Sequence, residues 1–371
     1  MLLSNPFTHD PRVHNEAKSL VMAGHSVTVL AWDRKKENPP KEEHEGIKIV
    51  RVFNTRFMNL VPYDIFRLQF WWKEGYRKAL ELHERENFDI LNCHNLDTLP
   101  IGVALKKKRS LPLVYDAHEI WGYMVARDLP KWWANYYLWK EEQIIKYADK
   151  IITVNEPLKK YFTKIANIPI SIIMNCKPLQ WTEYVPPNND EFTLLYVGTL
   201  GKSRFLLELV DVVKELPDVH CIIGGTGSKP NYVNSLKDKC ASAQNVDFFG
   251  RVPMGEVLPM TKKADAVVCM TSPDDLNNSR ALANKQFEAI VCGRPIICTK
   301  GTYPGEFTEN KNVGLIVEYN KEALKYGIIR LRDNKALCKE LGKNALKVAI
   351  LEYNWEKQGE KLVGVYEDIC R

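Results

Sequence analysis

Lys285 and Glu288 stand three residues apart near the start of ANKQFEAIVCGRPIICTKG (283–301). In a helix that spacing puts both on one face. Gly293, with Pro295 just beyond it, supplies the helix stop. An ammonium there can meet a phosphate, and the carboxylate can accept hydrogen bonds from neighbouring sugar hydroxyls. A plain i,i+3 surface pair is the competing reading. In YVGTLGKSRF a strand ends at Gly198, and Gly201, Lys202 and Arg204 follow at the start of the next helix. Exposed N–H groups, a helix dipole and a guanidinium fork together favour a phosphate at such a place. In IIGGTGSKP (222–230) three glycines permit close approach of backbone to a ligand. Taken singly, each of these glycine segments is equally well a simple turn.

These residues need strands and helices to hold them, and the chain alternates the two throughout. SVTVLAW (26–32), IKIVRVF (47–53), FDILNCH (88–94), LPLVYDAH (111–118), KIITV (150–154) and ISIIM (170–174) read as buried strands. WTEYVPPNNDE (181–191) interrupts the rhythm as a linker. The alternation then resumes with 192–198, 218–224, 245–250, 264–270, 294–299 and 313–319. Helix-length segments between such runs predict parallel sheets covered by helices. We therefore expect an α/β chain of two doubly wound domains, 1–180 and 181–354. Ligands of such sheets bind in the loops beyond the carboxyl ends of the strands.

Composition sets the remaining bounds. At 371 residues two cores are expected. No run approaches a membrane-spanning length, and MLLSNPFTHDPRV meets polar residues too early for a signal peptide. The 9 cysteines are scattered in apolar segments with no CxxC pair, which predicts reduced thiols in the cytoplasm and no zinc site. Residues 1–180 hold 27 Lys+Arg against 21 Asp+Glu, so this half carries the whole +6 of the chain. Such a half suits an anionic partner or is simply a solvated basic face. No nucleic-acid-binding module is recognisable. A nicotinamide-binding domain is disfavoured, since GGTGSKPN lacks the last glycine of G-x-G-x-x-G and no acidic residue follows the next strand.

Taken together, the segments resemble the retaining glycosyltransferases of family 4, which have the GT-B fold. YVGTLGKSR, IIGGTGSKP, NVDFFGRVPMGEV, ADAVVCMTSP, NKQFEAIVCGRPII and VGLIVE run in the order of that family's donor-binding domain. DPRVHNEAKSLVMAGHSVTVL, FDILNCHNLDTLPIGVAL, LPLVYDAHE and ADKIITVNEPLKKYF resemble its acceptor-binding domain. The last segment, 355–371, resembles the family's terminal helix, which completes the first domain. The resemblance implies two Rossmann-like domains facing across a cleft. It implies that Arg204 and Lys285 clamp the diphosphate of a nucleotide-sugar and that Glu288 grips the ribose. Gly198, Gly225 and Gly227 would border the donor, Arg251 and Val252 line the base pocket, and His118 lie beside the transferred sugar.

One position departs from the family pattern. Eight residues before Glu288, where a second glutamate is common, this chain has Arg280. It resembles instead an N-K-x-F-E variant, whose sugar contacts would come from Asn277, Asn278 or Ser279. Asp274 and Asp275 read as loop residues and not as a metal site. The implied reaction is metal-independent transfer, with retention, from a nucleotide-diphosphate sugar, UDP-linked as the first expectation, to a glycan or lipid-linked acceptor. Neither a cofactor nor a metal is expected. Two alternatives stand beside it: a GT-B nucleotide-sugar epimerase, and a non-catalytic nucleotide-sugar-binding subunit for which Arg280 is the motive. FRLQFWWKEGYRKAL (66–80) and LPKWWANYYLWKEEQIIKYA (129–148) mix aromatic and basic residues. Trp132, Tyr136 and Trp139 form one stripe and Trp133, Tyr137 and Ile144 another, which suits peripheral contact with an anionic membrane at its cytoplasmic face or packing on the protein's own sheet.

Overall fold

The computed structural model describes residues 1–8, 10–61, 64–126 and 129–370, so residue 371 of the expected last helix lies outside them. Chain contacts divide into two compact units, Met1–Met174 with Gln358–Arg371, and Asn175–Lys357. The change of unit falls six residues before the expected 180/181 boundary. The cause is local bonding: Asn175 Nδ2 donates to Asn284 Oδ1 at 2.6 Å, and the Lys177 ammonium lies 3.4 Å from Glu288. The segment 181–190 is irregular, with neither helix nor strand.

The strands of the first unit are β1 (Leu2–Leu3), β2 (Val27–Asp33), β3 (Lys41–His44), β4 (Ile47–Phe53), β5 (Leu91–His94), β6 (Leu113–Ala117), β7 (Lys150–Thr153) and β8 (Ile170–Ile172). They form one sheet in the order β3-β4-β2-β1-β5-β6-β7-β8, parallel except for β3. β2 is VTVLAWD and almost wholly buried, as a strand covered by helices on both faces must be. Strand β3, KEEH, is exposed along its whole length and pairs antiparallel with β4. Its turn is Glu45–Gly46, with φ of 49° and 77°, the double positive-φ geometry of a tight hairpin. That strand was not expected: four charged or polar residues carry no burial signal, and hairpin pairing alone makes them extended. The charges also protect the sheet's edge.

The second unit has β9 (Phe192–Thr199), β10 (Val219–Thr226), β11 (Val246–Gly250), β12 (Ala266–Cys269), β13 (Ile296–Thr299) and β14 (Gly314–Val317). Their order is β11-β10-β9-β12-β13-β14, all parallel. Each of the six apolar runs expected from the sequence falls on one of these strands, with β9 and β10 continuing one and two residues past the expected ends at 198 and 224. Both sheets reverse their winding once, between β1 and β5 in the first and between β9 and β12 in the second. At such a point the loops leaving two neighbouring strands diverge and open a crevice.

Helix Trp355–Cys370 closes the chain. Its Leu362, Val365 and Tyr366 are buried, and the Tyr366 hydroxyl accepts from Asn92 beside the first sheet. Helix Lys131–Ile145 buries Glu141 completely, where its carboxyl accepts from the Tyr115 phenol. Burial pushes the Glu141 carboxyl up to about 8, against the opposing effect of Tyr115. Folded and unfolded chains both hold this proton below pH ~4.5, the ordinary glutamate range. Between there and about 8 only the folded chain retains it. Stability relative to Glu141→Gln should therefore fall as pH rises through that window, by up to about 1.4 kcal/mol per pH unit. Denaturant titrations of both proteins across pH 4 to 9 measure the difference.

Candidate active site

Arg204 lies in the 3₁₀ turn Lys202–Arg204, just after β9 and therefore at the winding reversal of the second sheet. Its Nη1 donates to Thr271 Oγ1 at 3.0 Å, two residues beyond β12, and its Nη2 donates to Asn278 Oδ1 at 2.8 Å. Asn278 is held in turn by Asp275, which accepts from its side-chain Nδ2 at 2.6 Å and its backbone N–H at 3.0 Å. Burial alone would raise the Asp275 carboxyl. Asn278, then Ser203 and Arg204, reverse this and hold it below the usual carboxylate range. The guanidinium is thus fixed by neutral acceptors, and among the described residues no direct carboxylate pair cancels its charge.

Lys285 is the second residue of helix Asn284–Val291, whose first turn is tied down by Gln286. Gln286 Oε1 accepts from the Ala283 N–H at 3.1 Å, and its Nε2 donates to the Pro304 carbonyl at 3.1 Å. Only 6% of Lys285 is exposed. Its ammonium sits 4.1 Å from the centre of the Tyr196 ring and 3.1 Å from where a Cβ on Gly198 would be. Among the described residues it has no carboxylate partner. Glu288, on the same helix, pairs with Lys177. The surface pairing of Lys285 with Glu288 is therefore not what the fold makes of this spacing.

The Cys269 thiol, at the end of β12, registers the convergence of these groups. Its neighbour Cys298 draws it below the ordinary thiol range, burial opposes, and Lys285 and Arg204 lower it further, with Glu288 acting in the other direction. Lys285 and Glu288 come from one helix and Arg204 from the turn after β9.

The other expected positions differ in kind. Gly225 and its preceding glycine lie inside β10 and not in a loop, which corrects the reading of IIGGTGSKP. A Cβ on Gly225 would stand 1.7 Å from the Gly198 carbonyl oxygen, and one on Gly227 would stand 2.3 Å from that of Leu200. The pairing of β9 with β10 requires the first, and the close approach of the chain just past their ends requires the second. Val252 packs against Gly224, and Arg251 beside it is exposed. The Ser279 N–H donates to the Asp275 carbonyl at 2.9 Å, and Arg280 Nη1 donates to the Leu276 carbonyl at 2.5 Å. Asn277 is buried. Thr271, Asp275, Tyr196, Gln286 and Lys177 were not anticipated as supports; the contacts of Thr271, Tyr196 and Lys177 join segments distant in sequence, whereas Asp275 holds Asn278 three residues away.

His118 belongs to the first unit, just past β6. Its backbone N–H donates to Asn95 Oδ1 at 3.0 Å, and 19% of its side chain is exposed. Its ring nitrogen, His94 and Asp116 lie close enough for their ligand atoms to fall within 4.8 Å of one another, as do those of His14, His44 and Glu45. The first of these groups is largely buried and the second is exposed or half-exposed.

Gly225→Ala tests the strand constraint. With φ at +137° and a backbone carbonyl in the way, the substitution should destabilise the protein by at least about 2 kcal/mol, seen as a lower midpoint in urea.

Comparison with known proteins agrees with this architecture. The model described as Glycosyltransferase Family 4 matches residues 12–178, and that described as Glycosyl transferases group 1 matches residues 180–348. The uncharacterized glycosyltransferase MJ1607 of Methanocaldococcus jannaschii is 23% identical over 95% of this chain and 92% of its own. Among solved structures, sucrose-phosphate synthase from Thermosynechococcus elongatus superposes with a TM-score of 0.83 at 17% identity, covering 100% of this chain and 98% of that one. Anabaena Alr3699/HepE in complex with UDP-glucose gives 0.71 at 14% identity, covering 99% and 98%. With the two family models matched one after the other along the chain, it belongs to the GT-B glycosyltransferases of family 4 type.

Proposed function

We propose that the protein transfers a sugar, with retention, from a UDP-sugar to a glycan or lipid-linked acceptor. The observation that carries this reading is the buried ammonium of Lys285, which has no carboxylate partner among the described residues and lies in the same unit as Arg204. A buried cation without a counter-ion is costly unless an anion is supplied. A diphosphate supplies it. As the bond from the sugar's anomeric carbon to the diphosphate breaks, negative charge collects on the departing phosphate, and fixed cations lower that barrier. The acceptor hydroxyl forms the new bond and gives its proton to the departing phosphate oxygen. Arg204 and Lys285 supply the charge in this reading, so no metal is required. Glu288 is assigned the ribose hydroxyls, with Gly198, Gly225 and Gly227 at the donor's border and Arg251 and Val252 at the base. The choice of UDP rests on the solved Alr3699/HepE complexes with UDP and UDP-glucose.

The acceptor side is assigned to a membrane surface. Trp132 and Trp139 are 62% and 57% exposed, with Tyr136 between them, and Phe57 and Leu60 are also exposed. The second stripe behaves differently: Trp133, Tyr137 and Ile144 pack onto the first unit's core. Trp133 joins helix Lys131–Ile145 to helix Asp64–Glu86 by meeting Phe66 edge-on at 5.5 Å, and it stacks on Trp132 of its own helix at 4.6 Å. Arg56, Lys73 and Lys131 stand exposed on helices Arg56–Leu60, Asp64–Glu86 and Lys131–Ile145. Aromatic rings with interleaved cations suit an anionic headgroup zone. No described helix is long and apolar enough to cross a membrane.

Arg204→Ala and Lys285→Ala should each lower kcat by about 100-fold or more, with the thermal midpoint near that of the parent protein. UDP should raise the parent's midpoint and not that of Lys285→Ala. Near-normal turnover in both variants would refute the assignment. UDP binding without transfer across a donor panel would identify a binding subunit, and an isomerised donor would identify an epimerase. Separately, Trp132→Ser combined with Trp139→Ser should reduce co-flotation with phosphatidylglycerol vesicles by about tenfold or more, without loss of fold.

A further inference from the structure

The first sheet is parted near its centre. β1 lies between β2 and β5; its pairing with β2 covers Leu30 and Ala31, and its pairing with β5 covers Cys93. Both neighbours run further toward the amino edge. Val27 and Thr28 of β2 pair with Ile47 and Lys48 of β4, and Leu91 of β5 pairs with Leu113 of β6. Between Val27–Thr28 and Ile90–Leu91 lies a cavity of about 460 Å³. Strands held two spacings apart leave a gap about 10 Å across, the width one more strand fills. Helices supply apolar walls. Leu20 comes from helix Pro11–Met22, Ala79 and Leu82 from helix Asp64–Glu86 and Tyr366 from the closing helix, and all four are buried.

The two edges of this cavity are backbone. In a parallel sheet one residue turns its N–H and C=O toward one neighbour, and the next residue turns both toward the other. The Thr28 carbonyl accepts from the Met1 nitrogen at 2.8 Å, and the Leu30 N–H donates to the Met1 carbonyl at 2.9 Å. The Thr28 N–H therefore faces the cavity as well. Across from it, the Leu91 N–H donates to the Pro112 carbonyl on the β6 side, which turns the Asn92 N–H toward β1 and the space beyond Met1. Donors spaced along two strand edges between apolar walls match an extended peptide, whose carbonyls can meet them. A compact apolar ligand would fill the volume and leave both N–H groups unmet.

The Met1 nitrogen settles how such a peptide enters. It stands at the end of the cavity, bonded to a backbone carbonyl and out of water. Burial lowers this amine to about 6, with Cys93 acting in the other direction. An amide N–H in the same place makes the same bond to Thr28 and carries no charge that must be kept from water.

We propose that the cavity is a strand-binding slot for an extended apolar segment joined to the Met1 nitrogen, with its first residue opposite Thr28 and its second opposite Val27. The carbonyl of the first residue accepts from Asn92 and that of the second from Thr28. The first side chain falls on the same face as that of Leu2, which is buried, so this position requires an apolar residue. β1 then becomes a full central strand. Its carboxyl end leads to Ser4, whose hydroxyl donates to the buried Asp97, so the slot anchors the strand from the opposite edge of the sheet.

Three full-length proteins test this: the parent, one with Met-Leu-Ile placed before Met1, and one with Met-Leu-Asp placed there. The isoleucine extension should raise the thermal midpoint by about 3 °C or more. It should also slow hydrogen exchange at the Thr28 and Asn92 amides about tenfold or more. The aspartate extension should give no gain, or a loss, because its carboxylate meets apolar walls. An isoleucine extension that leaves both the midpoint and the exchange rates unchanged would overturn the proposal. Equal gains from the two extensions would overturn it too, since removal of the buried amine would then account for the whole effect.

Discussion

A cation buried without a carboxylate is the constraint around which the second unit is organised. Lys285 can be held there because three things surround it: an aromatic face at Tyr196, a residue without a side chain at Gly198, and a helix start anchored by Gln286. Exchange Gly198 for a larger residue and the ammonium loses its space. Give it an acidic neighbour and its attraction for an incoming anion is spent internally. Glu288, the one carboxylate on the same face, is diverted to Lys177. The parallel sheet supplies the rest, since right-handed crossovers deliver every strand's outgoing loop to the same edge. The reversal between β9 and β12 then lets the Arg204 turn meet Thr271.

What the sequence made legible follows from which signals are local. Buried parallel strands are continuous apolar runs, and IKIVRVF at 47–53 is read to its last residue. Lys285 and Glu288 declare their shared face by spacing. By contrast, KEEH at 41–44 carries no trace of being a strand, because its extended form is imposed by β4 across a turn. The glycines of IIGGTGSKP look like a ligand loop, yet Gly224 and Gly225 continue β10 against β9. The grouping of His94 and Asp116 with His118 was likewise silent. Its members sit in two segments, and only the pairing of β5 with β6 brings them together.

Arg280 marks the position where family pattern and chain part company. Its guanidinium is turned onto the Leu276 carbonyl of its own loop. That loop is also the one in which Asp275 and Asn278 hold Arg204. A change of residue at 280 is thus mechanically connected to the loop that holds Arg204. Asn278, with one end on Arg204 and the other on Asp275, acts first as a support in this arrangement.

The first unit is discontinuous, its sheet formed by Met1–Met174 and part of its cover by Gln358–Arg371. On the ribosome its strands emerge first, but Leu362, Val365 and Tyr366 follow only after the whole intervening unit has been made. Until then Asn92 lacks its phenol and a face of the sheet stays open to water. The nascent chain must therefore keep a half-finished core from aggregating while a second domain is synthesised. Cleavage in the last sixteen residues would undo the first-made part of the protein and leave the last-made strands intact.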